Sequence, residues 1–114
     1  MQEWLLLVPS WRHAAHLGAD YAASKAALST WARSLALAVG PEGKRVNVLA
    51  PGYVDTDILA GDSDSKRAQR IEEVPLKRIG TGDDMASIVS FLVGDDAAYI
   101  TGAVLHANGG LYLP

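Results

Sequence analysis

Tyr21 and Lys25 stand four residues apart in the run Tyr21-Ala22-Ala23-Ser24-Lys25, at the head of an alanine-rich stretch. On a helix, residues i and i+4 share a face, so the phenol and the ammonium point the same way. A free phenol has a pKa of about 10 and holds its proton too tightly for acid–base work near neutrality. A fixed positive charge beside it favours the phenolate. Lowering that pKa by two to three takes roughly 3–4 kcal/mol. A lysine held close in a poorly solvated cleft can supply that. The pair reads as a tuned proton donor, although any alanine-rich helix can carry an exposed tyrosine and lysine at this spacing.

Further along, the strings that follow the pair narrow the reading. Tyr-x-x-x-Lys opens the segment YAASKAALSTWARSLALAVGPEGKRVNVLAPGYVDTDI, which closes on Ala50 to Ile58, and the tail Ala98 to Leu113 reads AYITGAVLHANGGLYL. All three resemble the short-chain dehydrogenase/reductase family, over about Leu17 to Leu113. Within that family the chain is most similar to the 3-oxoacyl-[acyl-carrier-protein] and acetoacetyl-CoA reductases. The resemblance implies an NADP- or NAD-dependent oxidoreductase that reduces a carbonyl, such as a 3-oxoacyl thioester, to a hydroxyl.

The resemblance also implies site residues. Tyr21 would donate the proton to the carbonyl oxygen, since general acid catalysis avoids a free alkoxide. Lys25 would bond the nicotinamide ribose and lower the tyrosine pKa. Ser10, eleven residues before Tyr21 and directly after Pro9, would polarise the carbonyl. Pro51, Gly52, Val54 and Thr56 would form the nicotinamide-side segment: Gly52 for close backbone approach, Val54 for its backbone and Thr56 for its hydroxyl. The bland alternative for that string is a strand-to-loop turn.

The elements that must position these groups follow from pattern. Trp4 to Val8 reads as a short buried strand. Tyr21 to Val39 reads as a helix with Asp20 as N-cap, its stripe at Leu28, Trp31, Ala32, Leu35 and Val39. Gly40-Pro41 should end it through a left-handed glycine. Arg45 to Ala50 reads as a strand, Thr56 to Arg70 as loose short helices over a cleft. A second helix starts at Thr81 or Asp83 and runs to about Val93, and Ala103 to His106 is the last strand. This alternation implies an α/β fold with a parallel sheet and right-handed crossovers. The resemblance implies that it is the C-terminal part of a Rossmann-like doubly wound sheet, without the N-terminal nucleotide-binding half.

Composition sets the limits. The chain has 114 residues, 49% hydrophobic and 20% charged, with net charge −3, ordinary for one small domain. The acidic balance argues against nucleic acid and anionic membranes as partners. With no cysteine, there is neither a disulfide framework nor a thiolate site. Trp4 to Val8 is too short for a signal core or a membrane span, so cytoplasm is the default. His13 and His16 lack further ligands, and Asp55, Asp57, Asp62 and Asp64 lack calcium-loop spacing, so no metal site is expected. Ser65 to Arg70, SKRAQR, is a solvated face, and Trp31 belongs to the core or to a subunit interface.

None of the 11 glycines builds the family's Gly-x-x-x-Gly-x-Gly turn, which places backbone against a pyrophosphate. Residues 1–114 therefore read as a single partial domain, the C-terminal half of a reductase, with residues 1–12 atypical. Met1 is expected to be an internal or mis-assigned start. An unpaired strand edge left by truncation would favour aggregation. Two readings stand: a reductase of the family, a tetramer by family default and inactive as this chain alone; or a non-catalytic fragment, without nucleotide, that at most joins family subunits. Neither the choice of NADP over NAD nor the substrate is legible.

Overall fold

The computed structural model describes residues 3–7 and 18–114. Ser10, His13 and His16 lie outside the described residues. Strand β1 (Glu3–Leu7) is followed by helix α1 (Ala19–Val39), strand β2 (Arg45–Pro51), helices α2 (Asp57–Ala60), α3 (Asp64–Glu73) and α4 (Gly82–Val93), and strand β3 (Val104–Ala107). The sheet is parallel, in the order β1-β2-β3, with Leu6 opposite Val48 and Val48 opposite Val104. It is the α/β arrangement that the alternating pattern implies. Among the described residues, no helix is long and apolar enough to cross a membrane.

Helix α1 starts two residues before Tyr21. Gly18 stands at its N-cap with φ 114° and ψ 151°, a region open in practice only to glycine. Asp20, expected as the cap, lies instead inside the first turn, where its carboxylate faces the positive end of the helix dipole. The far end also differs from expectation. Gly40 stays right-handed at φ −54°, and Pro41 continues into a 3-10 turn over Gly40–Glu42. Proline suits that first-turn position, since its missing N–H would be unpaired there anyway. The left-handed residue is Gly43, with φ 73°.

Ala32 and Ala36 form the buried line of α1, packed on Val46 and Val48, with Leu28, Leu35, Val39 and Val104 half-buried around them. Two alanines at i and i+4 let the helix lie close against the sheet. Trp31 is 53% exposed, so it is not part of this core. Fully burying each valine of β2 is worth about 1.5–3 kcal/mol.

Strand residues alternate between faces. Val46 and Val48 meet α1, so Arg45, Asn47 and Leu49 point to the other side. There the Arg45 guanidinium donates to the carbonyls of Leu92 (2.8 Å), Gly94 (3.3 Å) and Ile100 (3.0 Å). Asn47 donates to the Ile100 carbonyl (2.9 Å) and accepts from the Ala103 N–H (3.1 Å). The C-terminal end of α4 therefore covers the face opposite α1. Strand order advances in one direction while the helices change face. The two crossovers thus have opposite hand, and the expectation of right-handed crossovers throughout fails for one of them.

Between β2 and α4 the chain forms short helices, as its polar sequence suggests. Helix α3 buries no residue fully; polar contacts hold it instead. Ser63 caps it by accepting from the Lys66 N–H at 3.2 Å, and Arg70 Nε reaches Asp62 at 2.6 Å. Helix α4 begins at Thr81, in a capping box with Asp84, and stops at Gly94.

Candidate functional site

Helix α1 leaves the carboxyl end of β1 and runs back to the start of β2, so its first turns belong to the carboxyl edge of the sheet. Strand β2 ends at that same edge, at Pro51. In open α/β sheets, ligands bind along this edge. Topology thus brings Tyr21 and Lys25 to the edge that also carries Pro51, Gly52, Val54 and Thr56. No described hydrogen bond or ion pair joins the two groups directly.

Lys25 Nζ lies 5.3 Å from the centroid of the Tyr21 ring, a cation over the ring face rather than a bond to the hydroxyl. Ser24 spends its hydroxyl on the Tyr21 carbonyl at 2.8 Å, which leaves it no part in the chemistry. Both functional side chains are half-buried. The arrangement can hold a positive charge beside a phenol, as proton donation to a carbonyl requires.

The segment after β2 has an unusual hydrogen-bond pattern. Val54 forms a parallel bridge with Gly80, made by the Gly80 N–H to the Tyr53 carbonyl (2.9 Å) and the Asp55 N–H to the Gly80 carbonyl (2.8 Å). In such a bridge the flanking residues make the bonds, so the N–H and C=O of Val54 itself face away. Thr56 stands at the N-cap of α2 without using its hydroxyl as a cap. Among the described residues, the Val54 N–H and C=O and the Thr56 hydroxyl have no hydrogen-bond partner, a set that matches the needs of a planar carboxamide. The residues present fit the nicotinamide end of a dinucleotide.

Gly52 closes the strand. Its N–H donates to the Ala107 carbonyl at 3.1 Å, and a Cβ there would sit 2.7 Å from Asn108 Cβ and 2.9 Å from Asn108 Cα. The glycine is required by this backbone contact. At Tyr53, next in line, burial first, then its hydrogen bond to Glu73 (2.9 Å), pushes the phenol above its usual pKa. Arg70 covers the Tyr53 ring at 4.7 Å, and Arg67 holds Asp55 through two bonds of 3.2 Å. These contacts fasten α3 to the segment.

A cleft of about 790 Å³ opens beside this edge, lined among others by Tyr53, Leu76, Met85, Ile88, His106 and Tyr112. It includes neither Tyr21 and Lys25 nor Val54 and Thr56. Its one arginine, Arg78, is spent on Asp84 through bonds of 2.6 and 3.0 Å. The residues expected to carry the chemistry therefore do not line this cleft.

The family described as enoyl-(acyl carrier protein) reductase matches residues 10–112. The chain belongs to the short-chain dehydrogenase/reductase family. Of the relatives in this family, the 3-oxoacyl-[acyl-carrier-protein] reductase FabG of Escherichia coli strain K12 is 47% identical over 95 residues, 83% of this chain and 39% of that protein. A Brucella melitensis short-chain dehydrogenase/reductase, described as a glucose/ribitol dehydrogenase, has a TM-score of 0.89 at 28% identity. It covers 98% of this chain and 46% of its own. A Brucella melitensis 3-oxoacyl-[acyl-carrier protein] reductase has a TM-score of 0.88 at 26% identity, over 98% and 42%. The chain thus spans 39% of the length of the curated reductase it matches.

Sequence reasoning about this short-chain family member did not single out Gly80, which makes the Val54 bridge, or the packing of Asn108 on Gly52. Gly80 lies in a plain Ile79-Gly80-Thr81 step before a helix, with no local signal of its distant partner. Asn108-Gly109-Gly110 carries an evident turn signal, but not the identity of what the turn supports.

Proposed function

We propose that this chain supplies the proton-donating and nicotinamide-side part of an NAD(P)H-dependent reductase. The observation that carries the reading is the unspent N–H and C=O of Val54 beside the unspent Thr56 hydroxyl. These groups would hold the carboxamide of NADPH or NADH, with Pro51 and Gly52 setting the turn. The dinucleotide would supply hydride. Tyr21 would give its proton to the substrate oxygen, with Lys25 beside it meeting the ribose hydroxyls. Ser10 would polarise the carbonyl. The substrate class is a 3-oxoacyl thioester, by likeness to the acyl-carrier-protein reductases.

The 114 residues contain no Gly-x-x-x-Gly-x-Gly turn, and the pyrophosphate end needs one. Residues 1–114 are accordingly one partial domain, inactive unaided. Its partners would be the substrate and further subunits, in a cytoplasmic homotetramer. Exposed Trp31 and Leu37 on α1 suit such a subunit contact.

Joining residues 9–114, which keep Ser10, to the nucleotide-binding half of the Escherichia coli reductase tests the reading. The chimera should reduce acetoacetyl-CoA with NADPH, and Tyr21→Phe should lower kcat by about 10²–10⁴. A folded chimera that binds NADPH yet shows no Tyr21-dependent turnover would sink it. The 114-residue chain alone should show no turnover.

A further inference from the structure

Beyond β3, the chain turns sharply and meets the end of β2. The Asn108 side chain spends both of its polar ends inside this turn. Its Oδ1 accepts from the Gly110 N–H at 2.9 Å, and its Nδ2 donates to the Tyr112 carbonyl at 2.8 Å. The Asn108 carbonyl accepts from the Leu111 N–H at 3.1 Å. The side chain is therefore not offered to a ligand. What Asn108 does offer is its Cα and Cβ, pressed on Gly52 so tightly that no methyl fits between them.

The other side of the turn is also fixed. The Leu76 N–H donates to the Gly109 carbonyl at 3.1 Å. A Cβ on Gly109 would fall 2.6 Å from Val74, and one on Gly110 would fall 2.9 Å from Pro75. Both glycines have positive φ, 63° and 90°. The turn is thus wedged between the 74–76 linker and Gly52, and Asn108 ties it shut.

We propose that Asn108 is a positioning residue for the carboxamide-binding segment, acting through the backbone of Gly52. The inference rests on the reading of Pro51 to Thr56 as the nicotinamide side. An open turn would release Gly52 and, two residues on, the N–H and C=O of Val54. Any tail residue could fill space there. Only one with a carbonyl oxygen in the position of Asn108 Oδ1 closes the turn onto the Gly110 N–H.

Amide hydrogen exchange on the 114-residue chain tests this directly. In Asn108→Ala, exchange at Gly52 and Gly110 should quicken about tenfold, the equilibrium weight of one net hydrogen bond. Val46 to Leu49, deep in β2, should stay protected. Asn108→Asp keeps the acceptor for Gly110 but sets a carboxylate oxygen against the Tyr112 carbonyl, so it should restore the protection at Gly52 in part. Leu113→Ala, in the same tail, should change neither. In the chimeric reductase, Asn108→Ala should raise KM for NADPH by about tenfold while lowering kcat less, and Asn108→Asp should recover it in part.

Unchanged exchange at Gly52 in Asn108→Ala overturns the proposal, as does equal loss of protection throughout β2. Should Asn108→Ala fail to fold, Asn108→Asp decides: fast exchange at Gly52 while Gly110 stays protected, a closed turn that does not hold Gly52, overturns it as well. An inactive wild-type chimera that binds NADPH removes the proposed function instead, and exchange still decides whether Asn108 holds Gly52.

Discussion

The Lys25 ammonium stands over the face of the Tyr21 ring, 5.3 Å from its centroid. The contact sets the ammonium beside the phenol on one face of α1. Tyr21→Phe in the chimeric reductase should cost the general-acid contribution, about 10²–10⁴ in kcat. Lys25→Met should lower kcat and also raise KM for the nucleotide, since the same ammonium is proposed to meet the ribose. Steady-state kinetics separate the two. A Lys25→Met variant that loses kcat but binds nucleotide normally would remove the ribose contact from the reading.

Arg45 joins the sheet to the end of α4. It is 5% exposed and donates to three backbone carbonyls, two of them at the helix C-terminus. A cation suits that end of the dipole. Arg45→Met would leave those carbonyls buried without their donor, at about 2–4 kcal/mol in total. Urea unfolding should show the loss as a lower midpoint at unchanged slope. A midpoint equal to wild type would mean that other donors reach Leu92 and Gly94.

The parts of this chain written locally were legible. The 3.6-residue stripe located α1 and α4, apolar runs located β2 and β3 to within a residue, and Tyr21 with Lys25 fell on one helical face. What was not legible depends on distant partners or on backbone conformation. Asp20 has the chemistry of a cap, but Gly18 already starts the helix. Gly40 could have been left-handed, but Pro41 extends the turn to Gly43. Trp31 has core chemistry, yet the small side chains of Ala32 and Ala36 take the contact with the sheet. The Val54–Gly80 bridge spans 26 residues, and no local spacing encodes it.

Thr81 should show its capping contribution plainly. Its hydroxyl accepts from the Asp84 N–H at 3.1 Å, while Asp84 accepts from the Thr81 N–H at 2.8 Å. Thr81→Ala removes one half of this reciprocal pair and should cost about 1 kcal/mol. Thermal melts followed by circular dichroism should fall by several degrees, about 4–8 °C per kcal/mol for a domain near this size. Serine at the same position should restore the melt. A Thr81→Ala melt matching wild type would show that Asp84 and Arg78 suffice to hold the start of α4.

His106 gives the chain a pH dependence of definite sign. Its Nδ1 is buried without a hydrogen bond, and its ring meets Tyr112 edge-on at 5.4 Å. Burial pushes its pKa below the ordinary 6.5. The unfolded chain therefore takes up the proton first as pH falls, so stability rises with pH across this window. The contribution is complete above 6.5 and is lost as pH falls through the lower, folded value. Asp84, held low first by Arg78, and Asp62, held low first by Arg70, titrate below the usual aspartate value of 3.8, so they do not interfere near pH 6. The thermal midpoint should accordingly drop between pH 7 and about pH 5, and His106→Gln should flatten that slope while leaving the steeper acid loss below pH 4 in place. An equal slope in both proteins would move the dependence to another histidine.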